Sequence, residues 1–252
     1  MCRDCGCSLG PTAARAPFAA QPPAKGLHVE SIEVITAILD QNDRVAAHNR
    51  SHFDAHRVLA VNLMSSPGSG KTSLLEATIK ALQDEQIRIA VIEGDLATEN
   101  DAARIRACGV PAVQITTGNA CHLDAQMVHD ALHALPLAGI DVLFVENVGN
   151  LVCPASFDLG VHRNLTLLSV PEGDDKPAKY PVMFRAADLA LLTKIDLLPH
   201  IEEFSVARAR DSLRQVGFKG EIIELTRRGG PGFEAWLTWL RNELAARRAV
   251  AA

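Results

Sequence analysis

Aromatic residues are scarce in this chain of 252 residues: one tyrosine, two tryptophans and eight phenylalanines. Its core is therefore expected to be aliphatic, as in sheets whose strands are buried on both faces. An excess of positive charge is also lacking. The formal net charge is −5 and no run of Lys or Arg stands out, so the electrostatic footprint of a nucleic-acid or membrane-surface protein is missing. No segment approaches the ~18 uninterrupted apolar residues of a membrane span; the run from Val142 to Val145 stops at Glu146. Nor does an apolar stretch with a cleavage site stand near the N-terminus, which argues against a secretory signal. Nucleic acid and membrane are accordingly not expected as partners. The six cysteines are expected to be reduced, in the cytoplasm.

What is present is a 48% apolar composition, enough to fill one large α/β domain. Residues 8–27 are rich in Ala and Pro without a period, and Pro11, Pro17, Pro22 and Pro23 block helix. They read as a flexible tether, so the chain divides into an N-terminal cysteine motif with its linker (1–27) and a nucleotide-binding domain (28–252). Ile32, Val34, Ile35, Ile38 and Leu39 recur at helical spacing, predicting a first helix over about 31–50. Apolar strand-like runs then alternate with helical stretches: strands at 58–64, 87–92, 112–116, 142–146, 165–170, 189–193 and 221–225. Helices are expected at 72–84, 100–108, 123–135, 201–216 and 233–247. Such alternation predicts a mostly parallel sheet flanked by helices, with ligands at the carboxyl ends of the strands.

The first strand runs into Ser65-Ser66-Pro67-Gly68-Ser69-Gly70-Lys71-Thr72-Ser73, and a helix follows. This is the strand–loop–helix context of a phosphate-binding loop, which makes the fold a P-loop NTPase. Gly68 and Gly70 let backbone N–H groups turn onto phosphates, Lys71 reaches the outer phosphates and the Thr72 hydroxyl is a ligand for Mg2+. Ser65 stands where the motif has its first glycine. Thr193-Lys194-Ile195-Asp196 follows a later strand. A carboxylate at Asp196 would accept both donors on the guanine edge, and the Lys194 stem would cover the base. Thr193 stands where the motif usually has Asn, and an ordinary helix-start Asp is the rival reading, outweighed by the motif's place after a late strand of the sheet. Two acids end strands: Asp95, and Glu146 in Glu146-Asn147-Val148-Gly149, where the Gly149 amide is placed to sense a terminal phosphate. Either acid could hold Mg2+ or orient water; Asp101 is a weaker candidate, since acids in a first helical turn usually serve the dipole.

The cysteines fall into two groups. Cys2, Cys5 and Cys7 form C-x-x-C-G-C, where Gly6 allows a tight turn of thiolates onto one ion; nitrogen completion suits Ni2+, and tetrahedral sulfur suits Zn2+. Cys121-His122 and Cys153 both fall at the nucleotide edge of the expected sheet. Two thiols and one imidazole are too few for a closed zinc cage, so they read as an exchangeable site, as one completed by a second copy, or as buried inert cysteine. Cys108 reads as packing. His48, His52 and His56, like His129 and His133, recur every fourth residue; a solvated helix face is the plain reading, with a weak second-site role left open.

Taken together, C-x-x-C-G-C, Ser66–Thr72, Gly94-Asp95, Gly118–Asp124, Glu146–Pro154 and Lys194–Pro199 resemble the hydrogenase nickel-incorporation GTPases of the HypB type. The resemblance covers essentially the whole chain. It implies a GTPase related to signal-recognition and nitrogenase-iron-protein GTPases, cycling between GTP and GDP and dimerising on GTP. It further implies a high-affinity nickel site at Cys2, Cys5 and Cys7 and a weaker nickel/zinc site at Cys121, His122 and Cys153. The partners it implies are a small nickel/zinc metallochaperone and the hydrogenase large-subunit precursor. The alternative is a nickel/zinc carrier in which nucleotide only stabilises a dimer.

Overall fold

In the computed structural model, residues 29–96, 99–118, 120–226 and 229–250 are described. The expectations for Cys2, Cys5, Cys7 and the 8–27 tether lie outside these residues. The described residues begin with helix α1 (Val29–Ala55), then β1 (Leu59–Ser65), α2 (Lys71–Leu82), β2 (Ile89–Asp95), α3 (Asn100–Ala107) and β3 (Ala112–Thr116). It continues with α4 (Ala125–Leu132), β4 (Val142–Glu146), β5 (Arg163–Ser169), α5 (Lys176–Lys179) and α6 (Pro181–Ala186). The last elements are β6 (Leu189–Thr193), α7 (Val206–Gln215), β7 (Glu221–Glu224) and α8 (Pro231–Val250). The strands form one seven-stranded sheet in the order β3-β2-β4-β1-β5-β6-β7. Every pairing is parallel, as the alternating pattern predicts.

Strand periodicity explains how both faces are filled, because successive side chains point to opposite sides. Leu59, Val61 and Leu63 of β1, Val91 of β2, and Val142 and Phe144 of β4 join Leu75, Ile79, Trp236 and Leu240 in one apolar layer under α2 and α8. Their neighbours Ala60, Ala90, Ile92, Leu143 and Val145 join Phe53, Leu123 and Val128 in the opposite layer, under α1 and α4. A third cluster, with Met64, Leu168, Ala190 and Leu192, is covered by Phe184, Phe204 and Leu213. Trp236 is fully buried and donates its indole N–H to Thr78 Oγ1 at 2.9 Å.

Helix α3 starts where expected, at Asn100, whereas α4 and α7 start later than expected. α4 begins at Ala125 because Asp124 caps it, accepting from Met127 N at 2.8 Å. α7 begins at Val206 behind a Ser205 cap, and a 3-10 turn (Ile195–His200) occupies the preceding stretch. The short helices α5 and α6 each open on a proline in the first turn. Among the described residues no helix is long and apolar enough to cross a membrane.

Candidate nucleotide and metal site

β1 lies between β4 and β5, although β2 follows it in the chain. At that reversal of order the sheet opens a crevice beyond the strands' carboxyl ends. A cleft of about 760 Å³ fills it, lined by the loop Pro67–Ser73 and by Glu93, Asp95, Glu146, Gly149, Lys194 and Asp196 among others. Gly68 and Gly70 adopt φ of 75° and 102°. A side chain at either position would find open space, so glycine is required for backbone conformation and not for room. Ser65, in the place of the motif's first glycine, is buried and accepts from Lys71 Nζ at 3.0 Å. Lys71 Nζ is also 3.8 Å from the Glu146 carboxylate.

The acidic side of the cleft contains a residue that the sequence reading passed over. Glu93 and Glu146 face each other in register on β2 and β4, on the strand side that carries Val91 and Phe144 toward α2. Both are buried. The Thr72 hydroxyl donates to Glu146 Oε1 at 3.0 Å. Burial, followed by the charge of Glu146, pushes Glu93 up to about 10; burial likewise raises Glu146, against the opposing pull of Lys71. Glu93 Oε1 and Glu146 Oε2 are buried away from any other donor, and the carboxyl of Glu93, in its protonated form, hydrogen-bonds to that of Glu146. Asp95, the expected acid of β2, lines the same cleft with its Oδ1 accepting from Leu96 N at 2.7 Å. Asp101, also lining it, pairs with Arg104 at 2.9 Å. The signal for Glu93 was an acid directly after the apolar run Ile89–Ile92 and inside the strand.

Glu172 was likewise not anticipated. It closes a capping box with Ser169, whose N–H and hydroxyl lie 3.0 and 2.6 Å from Glu172 Oε1. The same carboxylate accepts from Ser69 Oγ at 2.8 Å and from the Ser66 hydroxyl. It therefore ties the phosphate loop to the end of β5. On the base side, the Thr193 hydroxyl donates to Ser69 O at 2.7 Å and Lys194 Nζ donates to Gly68 O at 2.7 Å. Thr193 thus anchors its motif to the phosphate loop from the position usually held by Asn.

Beyond the acids, the loop after β4 joins the cleft to a cluster of soft donors. A Cβ on Gly149 would lie 2.9 Å from Pro67 Cα, so the two loops are in backbone contact. Asn147 Oδ1 accepts from Leu123 N at 3.1 Å, and Asn150 Nδ2 donates to Cys121 O at 3.2 Å. A few residues on, Cys153 brings its sulfur to 3.0 Å from that of Cys121, and Cys121 Sγ is 3.9 Å from His122 Nδ1. The donor atoms of Cys121, His122 and Cys153 all lie within 4.8 Å of one another. The hydrogen bond to Cys121, then burial, pushes the Cys153 thiol up. Burial lowers His122, whose ring stacks on Phe157 at 4.0 Å, so the neutral, ligand-competent imidazole is favoured. Cys108 stays apart, packed against the core beneath α2 and α8.

The loop, its lysine and threonine, and the facing carboxylates at the switch of a parallel sheet define a P-loop nucleotide-binding protein. The family model described as "CobW/HypB/UreG, nucleotide-binding domain" matches residues 59–223. The hydrogenase maturation factor HypB of Escherichia coli K12 is 53% identical over 215 residues, covering 85% of this chain and 73% of that protein. The protein of the same description from Azotobacter vinelandii is 51% identical over 238 residues, covering 94% and 76%. The crystal structure of HypB from Helicobacter pylori in complex with nickel superposes with a TM-score of 0.78 at 40% identity, covering 82% of this chain and 96% of that one. That of the hydrogenase maturation factor HypB from Archaeoglobus fulgidus gives 0.76 at 38% identity, covering 82% and 100%. The chain belongs to the HypB family of hydrogenase maturation factors.

Proposed function

We propose that this protein hydrolyses GTP and couples that hydrolysis to delivery of nickel into the hydrogenase large subunit. What supports the coupling is one loop serving two sites: Glu146–Gly149 lines the phosphate cleft, and the same stretch runs on to Cys153 beside Cys121 and His122. Catalysis in such a site is positioning and electrostatics. The Gly68–Thr72 amides and Lys71 bind and neutralise the phosphates. Thr193, Lys194 and Asp196 orient the base, with Asp196 accepting from guanine. Asp95 orients the water whose oxygen attacks the terminal phosphorus; the bond to the β-phosphate oxygen breaks, leaving GDP and phosphate. Two buried carboxyls that face each other and share one proton, beside a threonine hydroxyl, form an oxygen set that a hard dication satisfies in place of that proton, so Thr72, Glu146 and Glu93, with Asp95 at the rim, would hold magnesium. When bound, that ion screens the phosphate charge.

Loss of the terminal phosphate frees the Gly149 loop, which moves Cys153 relative to Cys121 and His122 and loosens the cargo ion, Ni2+ or Zn2+. Cys2, Cys5 and Cys7 form a second thiolate site in the N-terminal segment, with residues 1–27 acting as a tethered head on the domain formed by 28–252. The incomplete Cys121/His122/Cys153 set is completed by a second copy in a GTP-dependent homodimer. A small nickel/zinc metallochaperone supplies the ion, and the hydrogenase large-subunit precursor receives it, in the cytoplasm.

The test is nickel binding to the full chain with GDP and with a non-hydrolysable GTP analogue, beside a Lys71→Ala variant. Nickel affinity should differ between the two nucleotides, and Lys71→Ala should still bind nickel but fail to support hydrogenase maturation. If affinity ignores the nucleotide and the variant still matures hydrogenase, the chain is a carrier whose nucleotide only stabilises a dimer.

A further inference from the structure

Three histidines from two helices far apart in sequence converge on one surface patch. His48 and His52 stand one turn apart on α1, with Nε2 atoms 3.1 Å apart. His129 of α4 packs beside them, with ring centroids 5.1 Å from His48 and 5.8 Å from His52. One ring nitrogen from each residue lies within 4.8 Å of the others. His133, one turn further along α4, adds a fourth imidazole with its centroid 4.9 Å from that of His129. A pair of histidines four apart is by itself an ordinary solvated helix face. Convergence from a second helix is not expected of a solvated face.

The tautomer of His129 is fixed by a buried neighbour. Asn49 is fully buried, and its Nδ2 donates to Ala125 O at 2.8 Å and Leu159 O at 3.3 Å. Turning that amide over would forfeit both bonds, so Oδ1 must be the atom 3.1 Å from His129 Nδ1. The hydrogen therefore sits on Nδ1, and Nε2 keeps its lone pair. A ring nitrogen that donates into a fixed acceptor while the other stays available is the arrangement that orients metal-bound histidines. The spacing of the other pair fits as well. Two nitrogens held at about 2.0–2.1 Å from one ion lie roughly 2.9 Å apart at a right angle and roughly 3.4 Å apart at the tetrahedral angle.

We propose that His48, His52 and His129 form a metal site built of imidazole alone, distinct from both cysteine groups, that takes a divalent ion of the nickel–zinc class. Neutral imidazole is a borderline donor that suits these ions and gives no advantage to Mg2+ or Ca2+. Three ligands on an exposed patch leave coordination positions to water, or to His133, so the ion is exchangeable. α4 starts directly after the Cys121–Asp124 stretch, which puts the patch on the same helix that leaves the thiol site. The site stands independently of GTP hydrolysis.

The experiment is equilibrium dialysis of the full chain against Ni2+ and, separately, Zn2+, with Co2+ absorption reporting ligand type. In a background with Cys2, Cys5, Cys7, Cys121, His122 and Cys153 all replaced by alanine, one equivalent per chain should remain, and Co2+ should show no thiolate charge-transfer band. Adding His48→Gln and His52→Gln should remove that equivalent, and His129→Gln alone should weaken it at least tenfold. Circular dichroism and melting establish that each variant is folded. Should the alanine background fail to fold, His48→Gln/His52→Gln in the otherwise unaltered chain must lower nickel stoichiometry by one. A folded chain of that alanine background that binds no ion, or a stoichiometry untouched by the histidine substitutions, overturns the proposal. Either result leaves the nucleotide-switch reading intact, because no arm of the experiment contains nucleotide.

Discussion

Glu93 and Glu146 are two acids that cannot both be charged cheaply at the bottom of one cleft, because burial and mutual repulsion disfavour the second charge. With Glu93 pushed up to about 10, the folded protein holds a proton through neutral pH that the unfolded chain releases near 4.5. The sign follows from linkage: between about 4.5 and 10 the native state binds more protons, so stability falls as pH rises. The slope is at most about 1.4 kcal/mol per pH unit. Thermal melts of the protein without nucleotide should therefore drop from pH 6 to pH 9, and Glu93→Gln should flatten that drop. A wild-type melting temperature that rises with pH over this range would contradict the raised value. The same reasoning predicts that binding of magnesium with nucleotide expels up to one proton per chain. Calorimetry in buffers of different ionisation enthalpy reads this directly, and Glu93→Gln should abolish the release.

At the scale of elements, the sheet was legible because its strands are short apolar runs that end at polar residues. β3, β4 and β6 coincide with their expected limits for this reason. Helix starts were less legible, since Asp124 and Ser205 cap α4 and α7 and exclude the residues that precede them from the helix. α5 and α6 span 4 and 6 residues, too few to display a 3.6-residue period. The phosphate loop was readable because its residues are contiguous in sequence, from Ser65 to Thr72. Glu172 and the patch of His48, His52 and His129 were not, because their partners lie on distant segments that only the fold brings near. Trp236 tests how much α8 contributes. Its ring is fully buried against Thr78 and Phe144, so Trp236→Ala should cost about 3–5 kcal/mol. That corresponds to a fall in melting temperature of roughly 10 °C for a domain of this size. A change under about 1 kcal/mol, measured by urea unfolding, would mean that α8 is a dispensable cover.

At the scale of the whole molecule, the proposed coupling depends on Gly149 lying against the phosphate loop while its neighbours hold the metal site. A Cβ there would meet Pro67 Cα and N at 2.9 Å, both backbone atoms that cannot swing aside. Gly149→Ala should therefore hold the loop away from the cleft without altering any metal donor. Nucleotide should then bind at least tenfold more weakly when it carries a terminal phosphate, and much less weakly as GDP, because only the triphosphate engages the loop. Nickel binding to Cys121, His122 and Cys153 should persist, fixed at the affinity that the unaltered protein shows with GDP whichever nucleotide is added. A Cys153→Ala variant makes the reciprocal comparison: nucleotide affinity intact, nickel affinity lowered and equally indifferent to nucleotide. If Gly149→Ala instead retained a nucleotide-dependent nickel affinity, the signal would have to cross by another route. The fixed contacts of Asn147 to Leu123 and of Asn150 to Cys121 would then be the next to break.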